Sequence, residues 1–458
     1  MIRKVLIANR GEIAVRVMRS CREMGIRSVA VFSEADRTAR HVLYADEAVL
    51  IGPAASKDSY LNIEKIIRAA KQHKVDAIHP GYGFLSENAD FARRCEEEGV
   101  IFIGPSADII SKMGIKTEAR KIMREAGLPI VPGTETPVQG IDEVKKVANE
   151  VGYPIMLKAL AGGGGKGMRL VRTEEEVETA LRLSQSEAGT SFGNDAVYIE
   201  KYIENPHHIE VQIMGDKYGN VVHLYERECS IQRRNQKVIE ESPSPFVKEE
   251  TRKKMLKVAV EACKKIGYYS AGTLEFMMDK DQNFYFLEMN TRLQVEHPIT
   301  EEVLGLDLVK EQLRIADNEP LHIRQEDISQ RGHAIECRIC AEDTANNFMP
   351  SPGIIRQLTE PNGIGVRIDS YVYEGYEIPV YYDPMIGKLI VWATSREYAI
   401  ERMRRVLHEY KITGLKTNIS YLRRIMDIPD FVHGTYDTSF IGKHGEELQH
   451  PVNPGDEH

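Results

Sequence analysis

The chain has 458 residues, 42% hydrophobic and 28% charged, with a formal net charge of −9. This is the composition of a soluble globular protein of two to four domains, and its acidic balance argues against nucleic acid as the main partner. No apolar run approaches the roughly 18 residues of a membrane span, no secretory core opens the chain, and six scattered cysteines make no disulfide framework, so cytoplasm is the expected location, with no membrane partner.

Residues 4–8 (KVLIA) read as a short buried strand, followed by Asn9, Arg10, Gly11 and a helix-period stretch over residues 12–24. Strand and helix signals then alternate over residues 28–32, 48–51, 63–72, 77–79, 91–98 and 100–103. That order predicts a parallel, doubly wound sheet, whose ligands bind beyond the carboxyl ends of the strands. The turn His79-Pro80-Gly81-Tyr82-Gly83 lies at one such end and is either a ligand-facing turn or a plain Gly/Pro loop. Lys116 falls on a helix-like run over residues 112–126, which Gly127 and Pro129 terminate.

Residues 154–171 read as a strand, the loop ALAGGGGKG and a second strand. Four consecutive glycines exclude a regular element and leave a backbone able to approach something closely. A strand follows where a Rossmann fingerprint needs a helix, and Gly167 follows Lys166 where a Walker motif needs Ser or Thr. What remains is a glycine-rich hairpin able to close over phosphates, with Lys158 at its entrance and Lys166 inside it. Residues 197–203 read as a strand and residues 208–213 as a half-buried one; His208 by itself is more commonly a surface imidazole. The run from Glu226 to Lys237 gathers Arg227, Arg233, Arg234 and Lys237 with Gln232 and Gln236, as either a small-anion site or a salt-bridged surface strand.

Residues 273–297 are the most informative stretch. Residues 273–278 and 284–289 read as two strands around a polar turn. If that turn centres on Asp281 and Gln282, the simple register sets Glu275 across from Glu288, with Phe284, Phe286 and Asn290 on the Glu288 face. Two carboxylates and an amide converging there suit a hard divalent cation, and Arg292 and Glu296 follow as a charged pair. This is a layout for phosphoryl transfer. Cys337 and Cys340 form a lone C-x-x-C, better read as two thiols than as a zinc site. From Gly332 onward short strands dominate, then helices over residues 396–409 and 419–426, which predicts a third, α+β domain at about residues 320–440. The tail beyond Lys443 is polar and expected to be loose.

With these pieces in order, the chain resembles biotin carboxylase, a family of the ATP-grasp superfamily. The resemblance is carried by KVLIANRGEIAVRV, HPGYGFLSEN, KALAGGGGKGM, RECSIQRRNQK, EMNTRLQVEHPITE and YYDPMIGKL, and covers nearly the whole chain. It implies an N-terminal Rossmann-like domain over residues 1–113 and an ATP-grasp domain over 114–318 with a mobile lid at about 131–203. A C-terminal domain over 330–440 and a flexible tail over 444–458 would complete it. It implies ATP- and bicarbonate-dependent carboxylation of biotin, through carboxyphosphate. Lys116 and Lys158 would hold the phosphates under Gly162, Gly163, Gly164 and Gly165. Glu200, Lys201 and Ile203 would line the adenine site, with His208, Gln232 and Asn235 also at the nucleotide. Glu275, Glu288 and Asn290 would hold Mg²⁺ or Mn²⁺. Lys237, Arg292 and the Gln294-Val295 backbone would bind bicarbonate, with Glu296 taking its proton. Arg338 would stabilise the biotin enolate, with Tyr82 and Gly83 near the ring.

One departure is visible: the family pattern reads Q-R-R-H-Q-K, and this chain has Asn235 in place of the histidine, which keeps hydrogen bonding but loses the titratable ring. The resemblance also implies a homodimer working with a biotinylated carrier protein and its carboxyltransferase. The YDTSFI segment leans toward pyruvate-type over acetyl-CoA-type carboxylases. The competing readings are another ATP-grasp ligase activating a carboxylate or bicarbonate as acyl phosphate, and a regulatory protein that binds ATP without turnover.

Overall fold

The computed structural model describes residues 1–134, 136–138, 140–159, 168–192 and 196–449. They form two compact units, one built from Met1–Leu128, His207–Phe276 and Glu288 onward, the other from Pro129–Pro206 and Met277–Leu287.

In the first unit β1 (Lys4–Ile7), β2 (Arg27–Ser33), β3 (Glu47–Gly52), β4 (Ala77–His79) and β5 (Ile101–Phe102) form a parallel sheet in the order β3-β2-β1-β4-β5. Alternation sends Leu6, Val29 and Val31 into one core with Ile66 and Phe91. It sends Val5, Ile7 and Ala30 into another, with Ile13, Val17 and Met18 of the helix Gly11–Glu23. Both faces are therefore covered, the doubly wound arrangement expected of βα alternation. The helical run expected over residues 112–126 is instead two helices, Ala107–Gly114 and Lys116–Ala126. Ile115 between them is extended (φ −97°, ψ 106°), so Lys116 opens a helix rather than sitting inside one.

The second unit carries β6 (Ile155–Ala159), β7 (Met168–Val171) and β8 (Val197–Lys201) in the antiparallel order β7-β6-β8. Helices Ile141–Val151 and Val177–Phe192 pack on it around Val144, Ala148, Leu157, Leu181 and Ile199. Strand β8 stops at Lys201, short of the expected Ile203. The loop with Gly162, Gly163, Gly164, Gly165 and Lys166 lies outside the described residues.

An eight-stranded sheet belongs to the first unit except for its Met277–Leu287 segment. Its strands are β9 (His207–Gly215), β10 (Val221–Arg233), β11 (Gln236–Ser242), β12 (Ser270–Met278), β13 (Phe284–Asn290) and β14 (His333–Cys340). Short paired strands follow: β15 (Glu342–Asp343) with β16 (Met349–Pro350), β17 (Gly353–Ile354) with β20 (Glu377–Ile378), and β18 (Gln357–Thr359) with β22 (Lys411–Thr413). Between them run β19 (Val366–Ser370) and β21 (Met385–Ala393), which join the large sheet in the order β13-β12-β9-β10-β11-β14-β21-β19. The C-terminal strands thus extend the central sheet. The tail is partly packed: Gly445–Gln449 is helical, Leu448 is buried, and its carbonyl accepts from Arg424 Nε at 2.8 Å. The looseness expected from Lys443 onward does not hold there, because Leu448 buries an apolar side chain against the C-terminal core.

One buried carboxylate fastens that end. Glu241 on β11 accepts from His333 at 2.5 Å, from Arg396 Nε and Nη2 at 2.7 and 3.0 Å, and from the Tyr436 hydroxyl at 2.5 Å. Burial works against its charge, but Arg396 and His333 outweigh burial and hold the carboxyl down at about 2. A carboxyl lowered on folding stabilises fully above the ordinary value of 4.5 and loses that contribution as pH falls toward 2. Glu241→Gln should cost about 3–5 kcal/mol at neutral pH, the scale for breaking a buried ion pair on one side. Thermal unfolding of parent and variant across pH checks this: the gap should narrow in the acid window, and a constant gap contradicts the assignment.

Candidate active site

The site is built on the large sheet from the charge of one lysine. Lys237 sits at the start of β11, where the pairing with β10 slips: Ile231 faces Ile239, but Gln232 faces Lys237. The extra residue, Val238, packs with Ile239 on the apolar core, so Lys237 emerges on the same face as Glu240. Its ammonium donates to Glu210 of β9 at 2.5 Å, Glu275 of β12 at 3.1 Å and Glu296 at 2.6 Å. Three donors thus meet three carboxylates. Burial opposes the lysine's charge, yet Glu210, Glu296 and Glu275 together raise it well above the ordinary lysine value. Behind Glu210 stands fully buried Arg227, which donates to it at 2.6 Å and to Gln212 and Thr300. Strand 207–215 is accordingly buried on both faces rather than half-buried as its alternation suggested, because Glu210 and Gln212 point into a buried polar network.

Glu296 precedes the helix His297–Leu304 and is fully buried. Its second oxygen accepts from Arg338 Nη2 at 3.0 Å. Burial alone would raise this carboxyl, but Lys237, Arg338 and Arg227 hold it well below the carboxylate range. Arg338, on β14, also donates through Nε to Glu240 at 2.6 Å. The Val295 carbonyl accepts from buried Lys388 at 2.8 Å, which fixes the Gln294-Val295 backbone. Lys388 lies 3.3 Å from Glu12, the carboxylate that also takes the Tyr82 hydroxyl. The Tyr82 loop is held by Asn9, whose amide donates to the Pro80 and Tyr82 carbonyls at 2.8 and 2.7 Å. Gly81 takes φ +63°, where a side chain is strained, and a Cβ there would press on that amide at 3.0 Å.

Glu275 is the second meeting point. His208 Nε2 lies 2.9 Å from it, and Asn290 and Gln294 donate to it at 2.8 and 3.2 Å. Arg292 donates to Glu87, Gln294 and Asn290 at 2.9, 3.1 and 3.1 Å. Glu288 lies 3.4 Å from Lys116 Nζ. Glu275, Glu288 and Asn290 offer oxygen donors only, a set that fits a hard divalent cation.

The turn of the β12–β13 hairpin closes where the Asp279 N–H donates to the Asn283 carbonyl at 2.9 Å, with Gln282 at φ +70°. Leu287 and Glu288 are both half-buried between buried Phe286 and Met289, so the alternation of burial is interrupted beside Glu288.

The basic run does not form one patch. Arg227 is interior, Arg233 pairs with Glu342 and stacks over Phe348, and Arg234 donates to Asn347. Of this run, Lys237 is the residue that meets Glu210, Glu275 and Glu296 together. Arg234 and Asn235 form the β10–β11 turn at φ +51° and +63°, a conformation that asparagine tolerates well. Gln232 donates to the Cys229 carbonyl at 2.8 Å. In the second unit, Lys158 pairs with Glu200, Lys201 Nζ donates to the Gly152 and Tyr153 carbonyls at 2.7 and 3.1 Å, and Ile203 is buried. Cys337 and Cys340 are free thiols. Sequence reasoning missed Glu87, Glu210 and Glu240, the partners that aim Arg292, Lys237 and Arg338. Glu87 lay within a quoted block and Glu210 within a patterned strand, whereas Glu240 carried no signal.

Three family models tile the chain: "Biotin carboxylase, N-terminal domain" over residues 1–110, "Carbamoyl-phosphate synthase L chain, ATP binding domain" over 116–324, and "Biotin carboxylase C-terminal domain" over 336–443. Biotin carboxylase 1 of Bacillus subtilis is 56% identical over 442 residues, covering 96% of this chain and 98% of that one. The chain belongs to the biotin carboxylase family. A pyruvate carboxylase subunit of Methanothermobacter thermautotrophicus is 53% identical, over 97% of this chain and 90% of that one. The biotin carboxylase domain dimer of Hydrogenobacter thermophilus 2-oxoglutarate carboxylase, solved with MgADP, ADP and bicarbonate, superimposes with a TM-score of 0.87 at 50% identity, over 98% and 99% of the two chains. As a biotin carboxylase the protein is an ATP-dependent ligase, with the family's three-part α/β architecture and central ATP-grasp domain.

The lysine hub makes a checkable statement. Lys237→Gln leaves Glu210, Glu275 and Glu296 together without their cation, and should cost about 3–5 kcal/mol at neutral pH. Protons can replace the missing charge, so the variant should regain stability relative to the parent on acidification from pH ~7 to ~5. Paired thermal-unfolding curves at the two pH values decide it; an unchanged difference means the carboxylates do not depend on Lys237.

Proposed function

We propose that this chain activates bicarbonate with ATP as carboxyphosphate and transfers the carboxyl group to biotin borne on a separate carrier protein, which a carboxyltransferase then unloads. The observation that carries this reading is Glu296 held ionised between Lys237 and Arg338. A buried base between two cations suits an anion that must lose a proton. With the cations engaged only by protein, Glu296 is a weak base. An anion sharing Lys237 and Arg338 weakens their hold on Glu296 and makes it a better one.

Lys237, Arg292 and the Gln294-Val295 backbone bind bicarbonate, and Glu296 accepts its proton. The bicarbonate oxygen bonds to the γ-phosphorus as the bond to ADP breaks. Carboxyphosphate then releases CO₂, and the phosphate left behind takes the N1′ proton of biotin. N1′ bonds to CO₂ while Arg338 meets the charge on the ureido oxygen, with Tyr82 and Gly83 beside the ring. Lys116, Lys158 and the Gly162–Gly165 loop hold the phosphates. Glu200, Lys201 and Ile203 take the adenine, with His208, Gln232 and Asn235 nearby. Mg²⁺ or Mn²⁺ on Glu275, Glu288 and Asn290 would offset phosphate charge. The dimeric Hydrogenobacter relative supports a homodimer, and the Methanothermobacter relative together with YDTSFI supports a 2-oxo acid such as pyruvate as final acceptor. Six free cysteines support a reducing, cytoplasmic location, and among the described residues no helix is long and apolar enough to cross a membrane.

The test is ADP release with Mg²⁺ and bicarbonate, with and without free biotin. Biotin stimulation is expected; its absence with free biotin and with every carrier tried rejects the reading. Two variants then separate the half-reactions. Glu296→Ala should abolish both ADP and carboxybiotin formation. Arg338→Ala should lower carboxybiotin by about 10² to 10³, the scale for one lost oxyanion donor, and bicarbonate-dependent ADP release by far less. Equal losses in folded Arg338→Ala would move Arg338 to the nucleotide site.

A further inference from the structure

The sheet face that carries Arg338 also carries two carboxylates that the reaction above does not use. Glu240 on β11 stands opposite Glu336 on β14 in the antiparallel register, and both are fully buried. Side chains so paired share a face with Cβ atoms roughly 5 Å apart. Glu240 Oε1 accepts from Arg338 Nε at 2.6 Å and lies 2.6 Å from Nη2. The other Glu240 oxygen and both Glu336 oxygens have no hydrogen-bond partner among the described residues.

The charges around this pair are few. Arg338 comes from β14 itself, Lys237 from β11, Lys388 from β21, and Glu296 from the residue before the helix His297–Leu304. Lys237 and Lys388 are already committed, the first to three carboxylates and the second to the Val295 carbonyl and Glu12. The opposite face of β14 is apolar: Ile335, Cys337 and Ile339 pack with Ala399 and Met403 of the helix Arg396–Glu409. One guanidinium therefore stands against two facing carboxyls in a dry place, where two like charges cannot both persist.

We propose that Glu240 and Glu336 share one proton and together position Arg338: Glu240, ionised, grips the guanidinium at Nε, while neutral Glu336 lets that single ion pair stand. Burial pushes both carboxyls upward, Glu240 to about 7 against the pull of Arg338, and Glu336 well above the carboxylate range. Glu240 is thus the anchor of Arg338 on the side away from Glu296, and Glu336 its proton-carrying brace. This rests on the reading of Arg338 as the group that meets charge on biotin. On that reading a guanidinium held at Nε keeps its place while its contact with Glu296 is exchanged for substrate.

The full-length protein tests this with Glu240→Gln and Glu336→Gln, assayed for carboxybiotin across pH. Glu240→Gln should lower kcat for biotin carboxylation by about 10- to 100-fold, the usual effect of losing a group that orients a substrate-contacting residue. Its KM values for ATP and bicarbonate should stay near the parent's. Glu336→Gln, a neutral mimic of the protonated acid, should keep the parent's kcat near pH ~7. It should also lose the alkaline fall that the parent shows when Glu336 ionises and a second negative charge clamps Arg338. Infrared difference spectra of the parent against Glu336→Gln should contain a protonated-carboxyl band, a readout that does not need Glu240→Gln to fold. A parental pH profile and kcat in Glu240→Gln, a Glu336→Gln enzyme as impaired as Glu240→Gln at neutral pH while equally stable, or a missing band each overturn the pairing. A parent that makes no carboxybiotin instead rejects the underlying reading of the reaction.

Discussion

Everything at this site depends on one ammonium group among three buried carboxylates. Glu210, Glu275 and Glu296 come from three separate stretches of chain and would repel one another in a dry interior. The three N–H donors of Lys237 reconcile them at 2.5–3.1 Å, one donor to each. The same ammonium pulls the Glu275 and Glu296 carboxyls down against their burial, so it couples fold stability to proton affinity. Arg227 backs Glu210, and Arg338 backs Glu296, so neither of these two acids relies on Lys237 alone.

The sheet makes so much buried charge tolerable by dividing its faces. On β14 the odd-numbered residues Ile335, Cys337 and Ile339 enter a large apolar core, while Glu336 and Arg338 face the charged side. Burial of that apolar face offsets the desolvation of the other. Strands also hold side chains more rigidly than loops do, so the donors meant for an incoming anion are oriented before it arrives. The polar network extends away from the chemistry through Lys388, Glu12 and Tyr82, and this joins the parallel N-terminal sheet's loop to the central sheet within one unit.

The residues expected around nucleotide divide between the two units. Lys158, Glu200, Lys201 and Ile203 belong to the small three-stranded unit, whereas Lys116, His208, Glu275 and Glu288 belong to the large one. Within the small unit the Lys158–Glu200 pair joins neighbouring strands β6 and β8, and Lys201 is spent on backbone carbonyls, so its side chain braces the fold there.

Local pattern in the sequence was enough for the βα alternation of the first hundred residues, because each of those strands is short, apolar and bounded by polar turns. It also marked Glu275, Asn290, Arg292 and Glu296 as one constellation, since all lie within 22 residues of a hairpin and its exit. Tertiary structure alone decided where Lys237 points. Period-2 alternation would place it with Ile239 on the apolar face, and the bulge at Val238 turns it over. The partners Glu87, Glu210 and Glu240 were equally hidden, because Glu87 comes from a distant turn and the other two from strands whose neighbours local pattern does not encode. The β12–β13 hairpin likewise interrupts its alternation at Leu287 and Glu288, which strict period-2 reading does not foresee. Residue types and their spacing along the chain thus determined the family and the kind of chemistry. Which acid faces which base was decided by register and bulges, since a one-residue slip in a strand reverses the face of every side chain beyond it.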